Sequence, residues 1–233
     1  MKKLILFSIV LTFTLAAQYS NLGTSGAQFL QIPLGARQAS MGGASIALTD
    51  DASSIFWNPA GLSNVSNVDF HFTNLDWFGL FDLNAAAGAY RLGNDAGVLG
   101  IHFISFSTGK IEITTEKQPN GTGRFYDAQD IALGLTYSRA ITDRFRTGIT
   151  VKYVSQRIWN ETATGIAFDI GTQYTLDFQN LTIAMSMTNF GPDMRFDGPD
   201  LNINYLKDEN IPLSRLAPAK LSTEDFSLPL HFQ

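Results

Sequence analysis

The sequence predicts an all-β protein: a large antiparallel sheet of long strands, entered through a compact N-terminal segment. Three observations predict it. Apolar side chains alternate with polar or small ones through most of the chain beyond residue 66, the period of a two-faced strand. The alternating segments run about nine to twelve residues, longer than the five or six of typical globular strands and enough for a tilted strand to cross a bilayer. Short and long connections alternate, as they do in an outer-membrane barrel with tight periplasmic turns and larger outer loops.

Taken in order, the chain opens with Met1, Lys2 and Lys3, an apolar run from Leu4 to Leu15, and then Ala16 and Ala17. That is the build of a secretory signal peptide, too short to span a bilayer as a helix. Residues 1–17 are therefore set apart from the fold, and cleavage near Ala17–Gln18 is expected. Without Lys2 and Lys3, 14 basic residues face 21 acidic ones, so the formal charge moves from −5 to −7. No basic patch suited to nucleic acid remains. The 233 residues include no cysteine, which excludes disulfides, thiolate zinc sites, thiol catalysis and a lipid-modified cysteine.

Residues 18–64 come next and read as a folded insert. Gly42 and Gly43 permit positive φ or close backbone approach. Asp50 or Asp51 can cap a short helix over 52–57, since a carboxylate accepts the free N–H groups of a first turn. Pro59 holds Asn58 extended and stops that helix, and Gly61 lets the chain turn towards the first strand.

From 65 to 233 the strands follow. Val68, Phe70 and Phe72 alternate with Asp69, His71 and Thr73, and segments 82–91 and 98–106 are compatible with the same period. Leu133, Leu135 and Tyr137 oppose Ala132, Gly134 and Thr136, and Ile149, Val151 and Tyr153 oppose Gly148, Thr150 and Lys152. Ile166, Phe168 and Ile170 oppose Ala167, Asp169 and Gly171, and segment 181–189 alternates likewise. Tyr137, Tyr153 and Tyr174 end apolar faces, as rings at a membrane–water boundary do. Short links are expected at 92–97, 139–145 and 175–180, and at 76–81 on the opposite side. Long ones are expected at 107–129, 155–162 and 190–226, with Ile111 and Ile113 in a hairpin inside the first. The polar face is expected to be wet, leaving Asp69, His71, Arg146, Lys152 and Asp169 solvated. Alternation alone also fits a soluble periplasmic β-sandwich acting as a binding module.

The stretch GTSGAQFLQIPLGARQASMGGASIALTDDASSIFWNPAGL, residues 23–62, resembles the N-terminal signature of the PorV/PorQ family of bacterial outer-membrane proteins. The more distant FadL long-chain fatty-acid transporters share its acidic pair followed by Asn-Pro-Ala. ITDRFRTGITVKYV, residues 141–154, is similar to one of the family's turn-and-strand units. The resemblance implies a FadL-like transmembrane β-barrel of 14 strands in the outer membrane, with a hatch folded inside it. Gly42, Gly43, Asp50, Asp51, Asn58, Pro59, Ala60 and Gly61 would then build a structural, lumenal plug. Seven crossings and the start of an eighth at 228–233 are about half of such a barrel, so the chain is expected to be its N-terminal part.

For function, the resemblance implies an accessory component of type IX protein secretion. Its partners would be outer-membrane lipid, secretion components and cargo proteins, with no cofactor, metal or nucleic acid. The alternative is a FadL-like channel for fatty acids or other hydrophobic small molecules, with Phe29, Leu30, Ile55, Phe56 and Trp57 as apolar contacts. An enzyme is not expected. The chain has no G-x-S-x-G, H-E-x-x-H, Walker-type or G-x-G-x-x-G motif, and His71, His102 and His231 lack metal spacing. Asn-x-Ser/Thr triplets at Asn64, Asn120, Asn160 and Asn180 fall at strand ends and loops and carry no weight.

Overall fold

The computed structural model describes residues 25–93, 96–179, 181–206 and 216–233. The expected signal peptide, 1–17, lies outside the described residues.

The chain builds one eight-stranded antiparallel sheet. Its strands are β1 (Val68–Trp77), β2 (Phe81–Arg91), β3 (Val98–Ser107), β6 (Ala128–Ala140), β7 (Phe145–Ile158), β8 (Glu161–Thr175), β9 (Thr182–Phe190) and β12 (His231–Phe232), each paired with the next. Two small hairpins stand outside it: β4 (Ile111–Glu112) with β5 (Phe125–Tyr126), and β10 (Asn202–Leu206) with β11 (Leu216–Lys220). The fold is therefore all-β. The sheet is open among the described residues, with β1 and β12 as its edges.

The expected strands are all present, several of them longer than the alternation implied; β7 has 14 residues and β8 has 15. That extra length corrects one connection. Residues 155–162 were expected to form a long link, but β7 and β8 continue pairing to Ile158 and Glu161 and close in a two-residue turn. Their outer ends are polar on the apolar side of the sheet (Ser155, Arg157, Thr164), so pairing outlasts the hydrophobic signal that marked the strand. Trp159 takes a φ of 56° there, a conformation that sequence alternation does not announce.

Register decides which residues share a face. Val68, Tyr90, Leu99, Tyr137, Ile149 and Ile170 form one ladder row across six strands. Phe70, Gly88, Ile101, Leu135, Val151 and Phe168 form the next, followed by Phe72, Ala86, Phe103, Leu133, Tyr153 and Ile166. The row beyond reads Asn74, Asn84, Ser105, Ile131, Ser155 and Thr164, so the apolar rows stop at a largely polar one. The large side chains of these rows are exposed: Phe70 at 79%, Leu135 at 60% and Ile101 at 56%.

The opposite face is made mostly of small and polar residues, among them Ala85, Ala87, Gly100, Ala132, Thr136, Gly148, Ala167 and Gly171. Residues 25–64 pack on this face. Ile55, Leu62 and Val65 bury against Ala87, Ala89 and Val98, and Phe29 and Leu34 join a second core with Leu83, Ile104, Ala132 and Val154. The core thus lies between the N-terminal segment and the sheet.

Candidate functional site

The N-terminal segment contains little regular structure: 3-10 turns at Gln28–Gln31, Ala52–Phe56 and Pro59–Asn64, and one short helix, α1 (Ala36–Ser40). Side-chain and backbone hydrogen bonds to the sheet hold it instead. Asp51 is the residue that caps Ala52–Phe56, its Oδ1 accepting from Ser53 N at 2.9 Å. The capped turn is a 3-10 helix rather than an α-helix. Asp69 on β1 also accepts from Ala52 N at 2.7 Å, so the turn is fixed from the sheet as well as from its own cap. Asp50 does not cap; it is exposed and faces Arg37 at 3.4 Å.

Asn58 is fully buried and extended, as Pro59 requires. Its Oδ1 accepts from Ala60 N at 3.0 Å, and its Nδ2 donates to Ile46 O at 3.0 Å and Thr172 O at 3.1 Å. One side chain thereby caps the 3-10 turn Pro59–Asn64, pins the preceding loop and ties both to β8. Gln173 donates to the same Ile46 carbonyl, and Ser138 on β6 donates to Ala60 O at 3.1 Å.

Pro59 and Ala60 can come this close because the sheet has no side chain beneath them. A Cβ on Gly148 would sit 2.4 Å from the carbonyl of Pro59, and one on Gly171 would sit 2.0 Å from Oδ1 of Asn58. Gly100 makes room for Ile55 and Leu62 in the same way. Gly61 was expected to supply a turn. It sits instead inside the 3-10 turn without positive φ, and its role is space: a Cβ there would meet Thr49 O at 2.5 Å. Gly42 and Gly43 do take positive φ, 63° and 79°, and Gly43 lies under the Trp57 ring.

Of the expected apolar contacts, Phe29 belongs to the core and points away from open space. Leu30, Ile55, Phe56 and Trp57 line a cavity of about 400 Å³ between the segment and the sheet. Trp57 is held by its Nε1, which donates to Leu34 O at 2.9 Å. Phe56 meets the His102 ring edge-on at 5.4 Å between centroids.

The polar wall of this cavity differs from the wet lining expected. Lys152 and Asp169 are not solvated; both are buried and pair at 2.8 Å. Lys152 also donates to Oδ1 of Asn189, whose backbone N–H donates to Asp169 at 2.7 Å and whose Nδ2 donates to Pro229 O. Asn189 sits at a break in the β8–β9 register with a φ of 62°, which turns its side chain inward to complete the pair. Burying two charges is tolerated only when each finds partners of this kind. Alternation placed Lys152 and Asp169 on the correct face but could not show what covers them.

The residues that sequence reasoning missed are the glycines of the wall and Ser138, His102 and Gln173. A signal for the glycines was present, because Gly100, Gly134, Gly148, Gly165 and Gly171 all fall on the face opposite the large apolar residues. Among the described residues, no three His, Asp or Glu side chains converge to hold a metal ion. No family model, curated protein or solved structure matches this chain.

Proposed function

We propose that this chain forms the wall and inner plug of an outer-membrane β-barrel of the PorV/PorQ type, serving type IX protein secretion as an accessory component. The observation that carries the membrane reading is the exposure of three adjacent ladder rows of Phe, Leu, Ile, Val and Tyr bordered by a largely polar row. Fully burying one such side chain is worth about 1.5–3 kcal/mol, so a water-soluble sheet would cover these rows. Hydrocarbon needs no such cover.

The edges support a larger barrel. Among the described residues β1 and β12 each carry an unpaired edge, and an unpaired backbone N–H or C=O in lipid costs several kcal/mol. Further strands between those edges would remove the cost and enclose residues 25–64 as a hatch. A FadL-like 14-stranded closure has the room, whereas eight strands alone enclose only side chains.

The secretion role rests on the resemblance over residues 23–62, and the 191–230 connection with its β10–β11 hairpin is the segment assigned to cargo and partner contact. Carbonate washing of host membranes tests insertion: retention is expected, with altered migration on unheated gels, and release into the wash refutes the barrel. Affinity capture from the native envelope tests the role. Recovery of secretion components and cargo is expected, and their absence refutes the assignment while leaving the barrel standing.

One observation favours a second reading, a channel for hydrophobic small molecules. The cavity under Leu30, Ile55, Phe56 and Trp57 has a volume within the roughly 300–1,000 Å³ of small-molecule sites.

A further inference from the structure

The geometry points to a binding site for a neutral, hydroxyl-bearing apolar molecule in this cavity, its hydroxyl on His102 and its hydrocarbon against Leu30, Phe56 and Trp57. The inference rests on the small-molecule reading above and names the class of ligand. Three features define it.

First, His102 is 2% exposed, lines the cavity and has no hydrogen-bond partner for Nδ1 among the described residues. Its ring is fixed rather than free to turn away. It lies over Gly134, where a Cβ would be 2.1 Å from Cε1, and Phe56 closes on it from the segment side. A buried imidazole nitrogen without a partner is costly, and a ligand that bonds to it recovers that cost. Whether that nitrogen donates or accepts depends on the tautomer. A hydroxyl does both, so it satisfies either.

Second, the cavity offers no uncommitted buried cation. Lys152 is held by Asp169 at 2.8 Å and by Asn189, and the pair is neutral overall. A carboxylate placed here would be a third charge beside a satisfied pair, and an unpaired buried charge is far costlier than a neutral polar group. His231 reaches the lining from β12 but is exposed, so an anion meeting it keeps much of its water. The site therefore disfavours a fatty-acid anion. Third, most of the remaining lining is aliphatic or aromatic, with Leu30, Ile32, Leu34, Ile55, Phe56 and Ile104 among it, and its other polar side chains, Gln31, Thr188 and Gln233, are uncharged.

The test uses the protein in lipid nanodiscs with Trp77→Phe and Trp159→Phe, which leaves Trp57 as the one tryptophan of these 233 residues. Quenching of Trp57 fluorescence by 10-bromodecan-1-ol and by 10-bromodecanoate is titrated in parallel. Saturable quenching by the alcohol is expected, with an affinity about tenfold or more above that of the acid. His102→Phe keeps the ring's bulk and should weaken alcohol binding about tenfold, the worth of one hydrogen bond. Asp169→Asn frees Lys152 and should strengthen acid binding by a similar factor.

Equal or tighter binding of the acid by the parent protein overturns the inference and leaves the channel reading intact. Saturable quenching by neither compound overturns both. Should Asp169→Asn fail to fold, the parent titrations and His102→Phe still decide. Alcohol binding that survives His102→Phe unchanged refutes the assigned contact.

Discussion

The two faces of the sheet are made by the same strands and differ in nearly every physical respect. On one, Phe70, Ile101, Leu135, Val151 and Phe168 stand in an exposed row. On the other, Gly100, Thr136, Gly148 and Gly171 lie under residues 25–64, and Thr136 and Thr150 share a buried hydrogen bond at 2.8 Å. Most of the large apolar side chains face outward, and most of the sheet's glycines face inward. A globular sandwich inverts this arrangement, because its bulk belongs in the core. Here the apolar side chains of the N-terminal segment pack on small wall residues while its backbone and short polar groups approach the glycines, and the size of the wall residues limits how close they come.

The largest expected effect follows on the inner face. Gly148→Val places methyl groups where Pro59 and Ala60 backbone already lies, and backbone cannot rotate aside as a side chain can. Overpacking usually costs 1–3 kcal/mol, and this case falls at the upper end, about 3 kcal/mol. Refolded protein should lose its compact migration on unheated gels, and residues 25–64 should become protease-sensitive. Ile149→Val, one residue along on the outer face, should do neither. If both variants behave alike, the segment is not seated on the wall as described.

The second effect separates the faces by solvent. Leu135→Arg puts a charge in the middle of the outward rows, where in a bilayer it should cost about 2–3 kcal/mol. An exposed leucine on a water-soluble sheet would tolerate the same change within about 0.5 kcal/mol. Folding in lipid vesicles, followed by denaturant titration, distinguishes the two. Thr136→Ser, inward and keeping the hydroxyl that meets Thr150, is the control and should move the midpoint little.

How much of this was legible in the sequence also divides by face. Period-two alternation located the strands because outward Ile, Leu, Phe and Tyr are large and regular, as in Ile149–Val151–Tyr153. It lost the far ends of β7 and β8, where the outward face turns polar while the ladder continues. Local rules narrowed the first cap to Asp50 or Asp51 and held Asn58 extended, since these need only a side chain and the next few residues, but they did not show Asn58 as a cap. They could not find Asn58 bonding to Thr172, 114 residues away, nor the closure of Lys152 and Asp169 by Asn189. Those contacts depend on how sheet and segment meet, which no window of sequence contains. Gly61 shows the same limit: a turn residue by local rules proved to be a clearance beneath Thr49.

The smallest effect comes from the adjacent aspartates, which the sequence left interchangeable. Asp51 is partly buried and its carboxylate accepts from the Ser53 N–H and hydroxyl. Asp50 is exposed, and its contact with Arg37 at 3.4 Å spans two groups that are each more than half exposed. Removing an N-cap costs about 1 kcal/mol, and an exposed ion pair is worth about 0–1 kcal/mol, towards the low end at this separation. Asp51→Ala should therefore lower the midpoint of the heat-dependent gel transition measurably, and Asp50→Ala should leave it within error. Asp51→Asn, which keeps an accepting oxygen, should recover most of the loss. The reverse order for the two alanine variants would mean that the turn is held by its charge facing Arg37. The inner face would then owe its fit to electrostatics at its rim, and the hydrogen bond from Ala52 to Asp69 would have to seat the turn without its cap.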